Sequence, residues 1–196
     1  PDQGEVRWGP KNQSLLRKSE AEIAQLGIGR KFQQPTVFEA QTVYENILMA
    51  LAKPRSPLPV LFYRRNSPDD DRIYAVAKQI KLQSYLDRLA GELSHGQKQW
   101  LEIGILLAQE PQLLLVDEPA AGMNKDEIRD LDKRIRSLQL QGITIILIEH
   151  VMELVMGVAD RIAVLNFGSK IAEGNPQEIQ KNEAVQEAYL GYSEDD

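Results

Sequence analysis

The chain has 196 residues, 42% hydrophobic and 27% charged, with a formal net charge of −6. That length accommodates one α/β domain, or a domain plus a subdomain, and the acidic balance argues against chain-wide attraction to nucleic acid. With no cysteine, disulfides and thiolate metal sites are excluded; no apolar run is long enough to span a bilayer, and the N-terminus carries no signal-peptide pattern.

In chain order, Ser19 and Glu22 have capping-box spacing and predict a helix to Leu26, stopped by Gly27. Ile28 to Phe32 reads as a strand. Thr42 and Glu45 repeat the capping spacing before a helix whose apolar residues Tyr44, Ile47, Leu48 and Leu51 share one face. Pro54, Pro57, Pro59 and Pro68 mark an exposed loop, and Asp69 to Asp71 begin a helix expected to reach about Leu82. A further helix starts near Ser94. Leu113 to Val116 is a buried strand, and the following helix begins at Asn124, with Ile128, Leu131, Ile135 and Leu138 at its apolar positions and Gly142 as its stop. "ITIILI" (143–148) predicts a second buried strand, Val151 to Met156 a short helix, and "RIAVLN", "FGS" and "KIAEGN" a hairpin. One last helix is expected from Pro176 to Tyr189, before the acidic tail "SEDD". Continuous apolar strands alternating with helices predict an α/β fold with a mainly parallel sheet covered on both faces. The divisions are 1–34 (end of a sheet region), 35–92 (helical subdomain), 93–175 (core) and 176–196 (C-terminal helix and tail).

The stretch "LLLVDEP" (113–119) ends a buried strand in two carboxylates, at the sheet edge where ligands of open α/β sheets bind. Asp117 suits Mg²⁺ and Glu118 suits activation of a water; an ordinary acidic loop fits as well. In "LSHGQKQ" (93–99), Ser94 and Gln97 have capping spacing, so the helix start offers unpaired N–H groups to an anion and Gly96 permits close approach; a plain capped helix is the competing reading. Gln33 in "RKFQQP" and His150 after "ITIILIE" carry little signal singly.

Taken in order, these segments resemble the ATP-binding subunits of ABC transporters: "LSHGQ" their LSGGQ signature with His95 for a glycine, "LLLVDEP" their Walker B strand, "AAGMN" their D-loop, "IEHVM" their His switch and "RKFQQP" their Q-loop. Ser94 and Asp117 are 23 residues apart, Glu118 and His150 are 32 apart, and both separations suit the family. "IAQLGIGRKFQQPTVFE", "LAGELSHGQKQWLEIGILLAQEPQLLLVDEPAAGM" and "IAEGNPQEI" resemble its branched-chain amino acid and urea uptake branch, and "SHGQKQWLEIG" the urea-transporter ATPase.

The resemblance implies ATP and Mg²⁺ as ligands. It implies catalytic Glu118 and His150, nucleotide contacts from Gln33, Ser94, Gly96 and Gln97, and metal contacts from Asp117 and Gln33. It further implies a second ABC ATPase subunit, identical or different, a membrane permease as partner, and a peripheral place on the cytoplasmic face of the inner or plasma membrane. Asn124 stands where the family's D-loop has Asp.

No G-x-x-x-x-G-K-[ST] phosphate loop occurs in the chain. Lys18-Ser19 follows Arg17 rather than Gly, and Ser19 serves better as a cap. By resemblance, "GEVRWGP" follows the Walker A helix, so the expectation is an incomplete P-loop NTPase, inactive alone. Its sheet is expected to lack strands beside the Walker B strand and so to expose an apolar edge prone to association. The alternatives are a non-catalytic interaction module and a non-transporter ABC ATPase.

Overall fold

Three capping boxes anticipated from i, i+3 spacing organise the first half of the chain. The computed structural model describes residues 4–31, 37–51 and 68–190. Ser19 caps α1 (Glu20–Gln25), Thr42 caps α2 (Val43–Ala50) and Ser94 caps the long helix His95–Leu107; in each, side chain and backbone of positions N-cap and N3 exchange hydrogen bonds. Upstream, β1 (Arg7–Trp8) and β2 (Gln13–Ser14) form a small antiparallel hairpin. Its turn holds Gly9 to Asn12, with Asn12 N–H donating to the Gly9 carbonyl at 3.0 Å. The "GPKN" segment is thus a hairpin turn and not a phosphate loop.

The described residues fall into two compact units, one within Pro1–Ala121 and Ser137–Ile148, the other within Gly122–Arg136 and Glu149–Asp196. In the first, β3 (Ile28–Lys31), β4 (Leu113–Asp117) and β5 (Thr144–Ile148) form a parallel sheet in that spatial order. The predicted parallel sheet is therefore present, with two differences. The Walker B-like strand β4 lies in the middle, paired on both sides, so the edges of the described sheet lie one strand further on, at β3 and β5. And β5 is not buried on both faces: Ile146 is 51% and Ile148 60% exposed. An apolar run specifies only that a strand tolerates burial; an edge position with one uncovered face leaves alternate side chains in solvent.

Helix α3 (Pro68–Gln79) takes in Pro68, read from sequence as part of the loop, ahead of its three aspartates, and stops at Gln79 rather than Leu82, because Lys81 turns to a φ of 56°. Helix α4 (His95–Leu107) packs with α2 and α3 around Ile47, Ile73, Ile80 and Leu101, joined by Leu114 and Val116 from the sheet. Val43, Asn46, Ile47 and Leu51 are the most buried residues of the α2 region, so the packed face keeps Tyr44, Ile47 and Leu51 of the predicted one, adds Val43 and Asn46, and leaves Leu48 half-buried. The segment 39–44 runs back along 86–91, with Glu39, Gln41, Val43 and Tyr44 all bonding to it through backbone groups. Buried Asn46 clamps this turn: its Oδ1 accepts from Phe38 N–H at 2.9 Å, and its Nδ2 donates to the carbonyls of Phe38 and Thr42 at 3.1 and 2.9 Å. Asn46→Ala strips partners from several half-buried backbone groups, each worth ~1 kcal/mol or more, and is expected to lower stability by about 2 kcal/mol in urea titration. A loss below about 0.5 kcal/mol would show that the clamp contributes nothing.

In the second unit, α5 (Lys125–Leu140) begins after Asn124, with Leu131 and Ile135 buried as the periodicity requires. Its remaining turn, Ser137 onward, belongs to the first unit, where Leu138 is buried. Helix α6 (Met152–Val158) follows β5. The predicted hairpin is β6 (Ile162–Asn166) and β7 (Ser169–Gly174), turning through Phe167 and Gly168 at φ 46° and 78°, the paired left-handed conformation of a two-residue turn. The single C-terminal helix is instead two, α7 (Pro176–Gln180) and α8 (Glu183–Leu190). Asn182 causes the break: its Oδ1 accepts from Val185 N–H at 3.2 Å, which caps a new helix. Ala172, Ile179 and Val185 form one core cluster of this unit. The proline-rich loop between 53 and 67 and the "SEDD" tail lie outside the described residues. No helix among the described residues is long and apolar enough to cross a membrane.

Candidate functional site

Strand β4 delivers Asp117 and Glu118 to the C-terminal edge of the parallel sheet, both half-buried. The backbone turns sharply there. Glu118 has φ 42°, a left-handed value that a β-carbon disfavours. The turn is held by Glu118 N–H donating to the Ile148 carbonyl at 2.9 Å, by Ala121 N–H donating to the Glu118 carbonyl at 3.2 Å, and by the fully buried ring of Pro119. Such a turn swings the Glu118 side chain away from the strand line that Asp117 continues, so two adjacent carboxylates need not share one direction.

At the start of α4, Ser94 Oγ accepts from Gln97 N–H at 3.3 Å and Gln97 Oε1 accepts from Ser94 N–H at 3.0 Å. The Gln97 carbonyl oxygen is thereby committed to the cap, which leaves its amide nitrogen as the group able to meet a ligand. Ser94 is exposed, and a Cβ added to Gly96 would meet nothing within 4 Å. Gly96 also has no left-handed backbone to explain it, so nothing among the described residues requires glycine there; open space over the first N–H groups of a 13-residue helix is what an incoming anion needs. His95 occupies the remaining signature position and contacts Gln99 through Nε2 at 3.2 Å.

His150 belongs to the second unit. Its side chain is 68% exposed, and its backbone is fixed by a residue that sequence reasoning passed over: the Glu149 carboxylate, fully buried, accepts from the N–H groups of His150 and Val151 at 3.0 and 3.2 Å. Asn124, the departure from the D-loop pattern, also has a local explanation. Its Oδ1 accepts from the N–H groups of Asp126 and Glu127 at 3.0 and 3.1 Å while its own N–H donates to Glu127, so it caps α5 as an aspartate would. Gln33 lies outside the described residues.

Two buried charges were also missed. Lys31, 1% exposed at the end of β3, faces Glu102 of α4, 3% exposed, across 3.9 Å. Burial pulls the Lys31 pKa below the ordinary lysine value, while Glu102 and then Asp117 hold it up. The alternation in "IGRK" marks Lys31 as inward-facing only once the buried face of β3 is known.

No group of three or more carboxylate or imidazole side chains able to hold a metal occurs among the described residues. Asp117 alone fits Mg²⁺ arriving on a nucleotide, since that ion uses one or two carboxylates with phosphate and water; it does not fit a metal site independent of nucleotide.

A family model described as ABC transporter matches residues 1–121, and one described as branched-chain amino acid ATP-binding cassette transporter matches residues 169–195. The chain is 40% identical over 179 residues to the high-affinity branched-chain amino acid transport ATP-binding protein LivG of Salmonella typhimurium, covering 87% of this chain and 70% of that one. It is 35% identical over 199 residues to the probable LivG of Methanocaldococcus jannaschii, covering 97% and 77%. Among solved structures, the ADP conformation of an ATP-binding cassette of an ABC transporter superposes with a TM-score of 0.78 at 33% identity, over 97% of this chain and 78% of that one. A nucleotide-free cassette gives 0.77 at 32% identity, over 96% and 77%.

Proposed function

Because this chain belongs to the ABC transporter family of ATP-binding subunits, we propose that it supplies the energy of ATP hydrolysis to a permease that imports a branched-chain amino acid or urea. The observation that carries this reading is the pairing, on one α/β frame, of a carboxylate pair at the sheet edge with an open, capped helix start at Ser94. Asp117 holds the Mg²⁺ of the nucleotide, and Glu118 takes a proton from the attacking water. Mg²⁺, when bound, neutralises charge on the β- and γ-phosphates. Ser94, Gly96 and the amide nitrogen of Gln97 contact the γ-phosphate held by a second ATPase subunit, identical or different. Gln33 senses metal and phosphate, and His150 contacts the γ-phosphate. Residues 35–92 carry movement to the permease at the cytoplasmic face of the inner or plasma membrane, where the subunit sits peripherally.

The branched-chain assignment draws on the names of the relatives, and urea on the texture of "SHGQKQWLEIG". ATPase activity of the assembled transporter distinguishes them: stimulation by a binding protein loaded with leucine but not with urea selects the first, and the reverse selects the second. No stimulation by either would sink both.

These 196 residues contain no phosphate loop, whose backbone N–H groups and lysine make most contacts to the phosphates. By themselves they are expected to show no micromolar affinity for MgATP in isothermal titration; micromolar binding would refute this. The same feature favours a second reading, in which these residues only dock on the permease or on another ATPase. On that reading, Glu118→Gln leaves transport unchanged.

A further inference from the structure

One stripe of α4 touches the chain on both sides of residues 32–36. Lys98, Glu102 and Leu106 follow at intervals of four, so they lie along one face of the helix. Leu106 backs onto β3, where a Cβ on Gly29 would lie 3.5 Å from its Cδ2. Glu102 meets Lys31 in the buried ion pair at 3.9 Å. Lys98 Nζ meets Glu39 Oε1 at 2.6 Å, and the Glu39 carbonyl accepts from Gly91 N–H at 3.0 Å, three residues before the signature serine. The charges alternate: on the helix a cation then an anion, opposite them an anion then a cation. A Lys–Glu pair this buried is a poor source of net stability, since removing both ions from water offsets their attraction, and an apolar pair would serve the core as well. Buried charge at this place is better explained by what it orients.

We propose that Lys31 and Glu102, assisted by Glu39 and Lys98, are positioning residues that hold both chain segments flanking Gln33 in register with the helix that begins at the signature. This rests on the ATPase reading above. Through the ion pairs, displacement of α4 at its N-terminus is passed to the end of β3 and to 37–41, so the signature and these two segments move together.

The test uses the natural full chain assembled with its permease. Lys31→Met/Glu102→Leu removes both charges of the buried pair; it also removes the cation that acts on Asp117, so kcat is read at saturating Mg²⁺. It is expected to melt close to wild type while kcat for MgATP falls about tenfold and KM stays within about twofold, as for a misplaced catalytic group. A folded double variant with kcat within about twofold of wild type overturns the proposal. Should that variant not fold, the exposed pair decides. Lys98→Glu and Glu39→Lys singly are expected to lower kcat about threefold, and the reversed pair to restore it, in line with a partly exposed ion pair. Singles without effect, or a reversed pair no better than the singles, overturn it. If the wild-type assembly hydrolyses no ATP, the ATPase reading fails, and amide exchange over 37–43 judges the inference separately. Faster exchange in Lys98→Glu that reverts in the reversed pair supports it, and unchanged exchange overturns it.

Discussion

Glu118→Gln is expected to lower ATP hydrolysis by the assembled transporter about 10²–10³-fold while leaving nucleotide binding and thermal stability near wild type. Glutamine keeps the size and shape of glutamate and loses only the base. The left-handed backbone at this position is held by the main-chain bonds to Ile148 and Ala121 and by buried Pro119. The substitution therefore leaves those main-chain bonds in place while removing the base. Asp117→Asn is the companion: with the carboxylate proposed to hold Mg²⁺ removed, the loss should include KM for MgATP as well as kcat. Single-turnover rates with matched melting curves check both. A Glu118→Gln enzyme turning over at the wild-type rate would remove Glu118 from the chemistry, and with it the main argument for an active Walker B strand.

Leu101→Ala is expected to destabilise the fold by about 3–4 kcal/mol, the range for truncating a fully buried leucine where the surroundings collapse incompletely. Leu101 is 0% exposed, on the turn of α4 just beyond the signature, and it belongs to the cluster in which α2, α3, α4 and the sheet share one core. A cavity there loosens the helix that carries Ser94 as well as the packing of the helices. Leu140→Ala is the control: 90% exposed, it should change stability by less than about 0.5 kcal/mol. Urea denaturation reads both, as a shift of midpoint at constant slope. A Leu101→Ala midpoint indistinguishable from that of Leu140→Ala would mean that the shared core does not carry the stability of this unit.

Much of the local architecture was legible before any coordinates. Capping depends on two residues three apart, so the pairs Ser19/Glu22, Thr42/Glu45 and Ser94/Gln97 all became boxes where expected. The turn of the β6–β7 hairpin rests on Phe167-Gly168 and was equally readable. The C-terminal break was within reach of the same reasoning, since Asn182 is a good cap, but helical periodicity across 176–189 concealed it. The order of Ser94, Asp117, Glu118 and His150 pointed to the family that the comparisons then showed.

What the sequence determined by itself is thus whatever neighbours along the chain decide: helix starts, the hairpin turn, most of the apolar face of α2, and the ordered motifs that name the family. Tertiary structure alone decided the rest, because it depends on which distant segment lies alongside. It put β4 between two partners and left Ile146 and Ile148 of β5 in solvent. It turned Lys31, unremarkable in "GRKF", into a buried cation facing a glutamate 71 positions away. It gave Glu149, adjacent to the histidine that drew notice, the task of fixing that histidine's backbone. Burial of a charge or exposure of an isoleucine is set by coverage and pairing across the fold, and a residue's own chemistry states only what it would tolerate there.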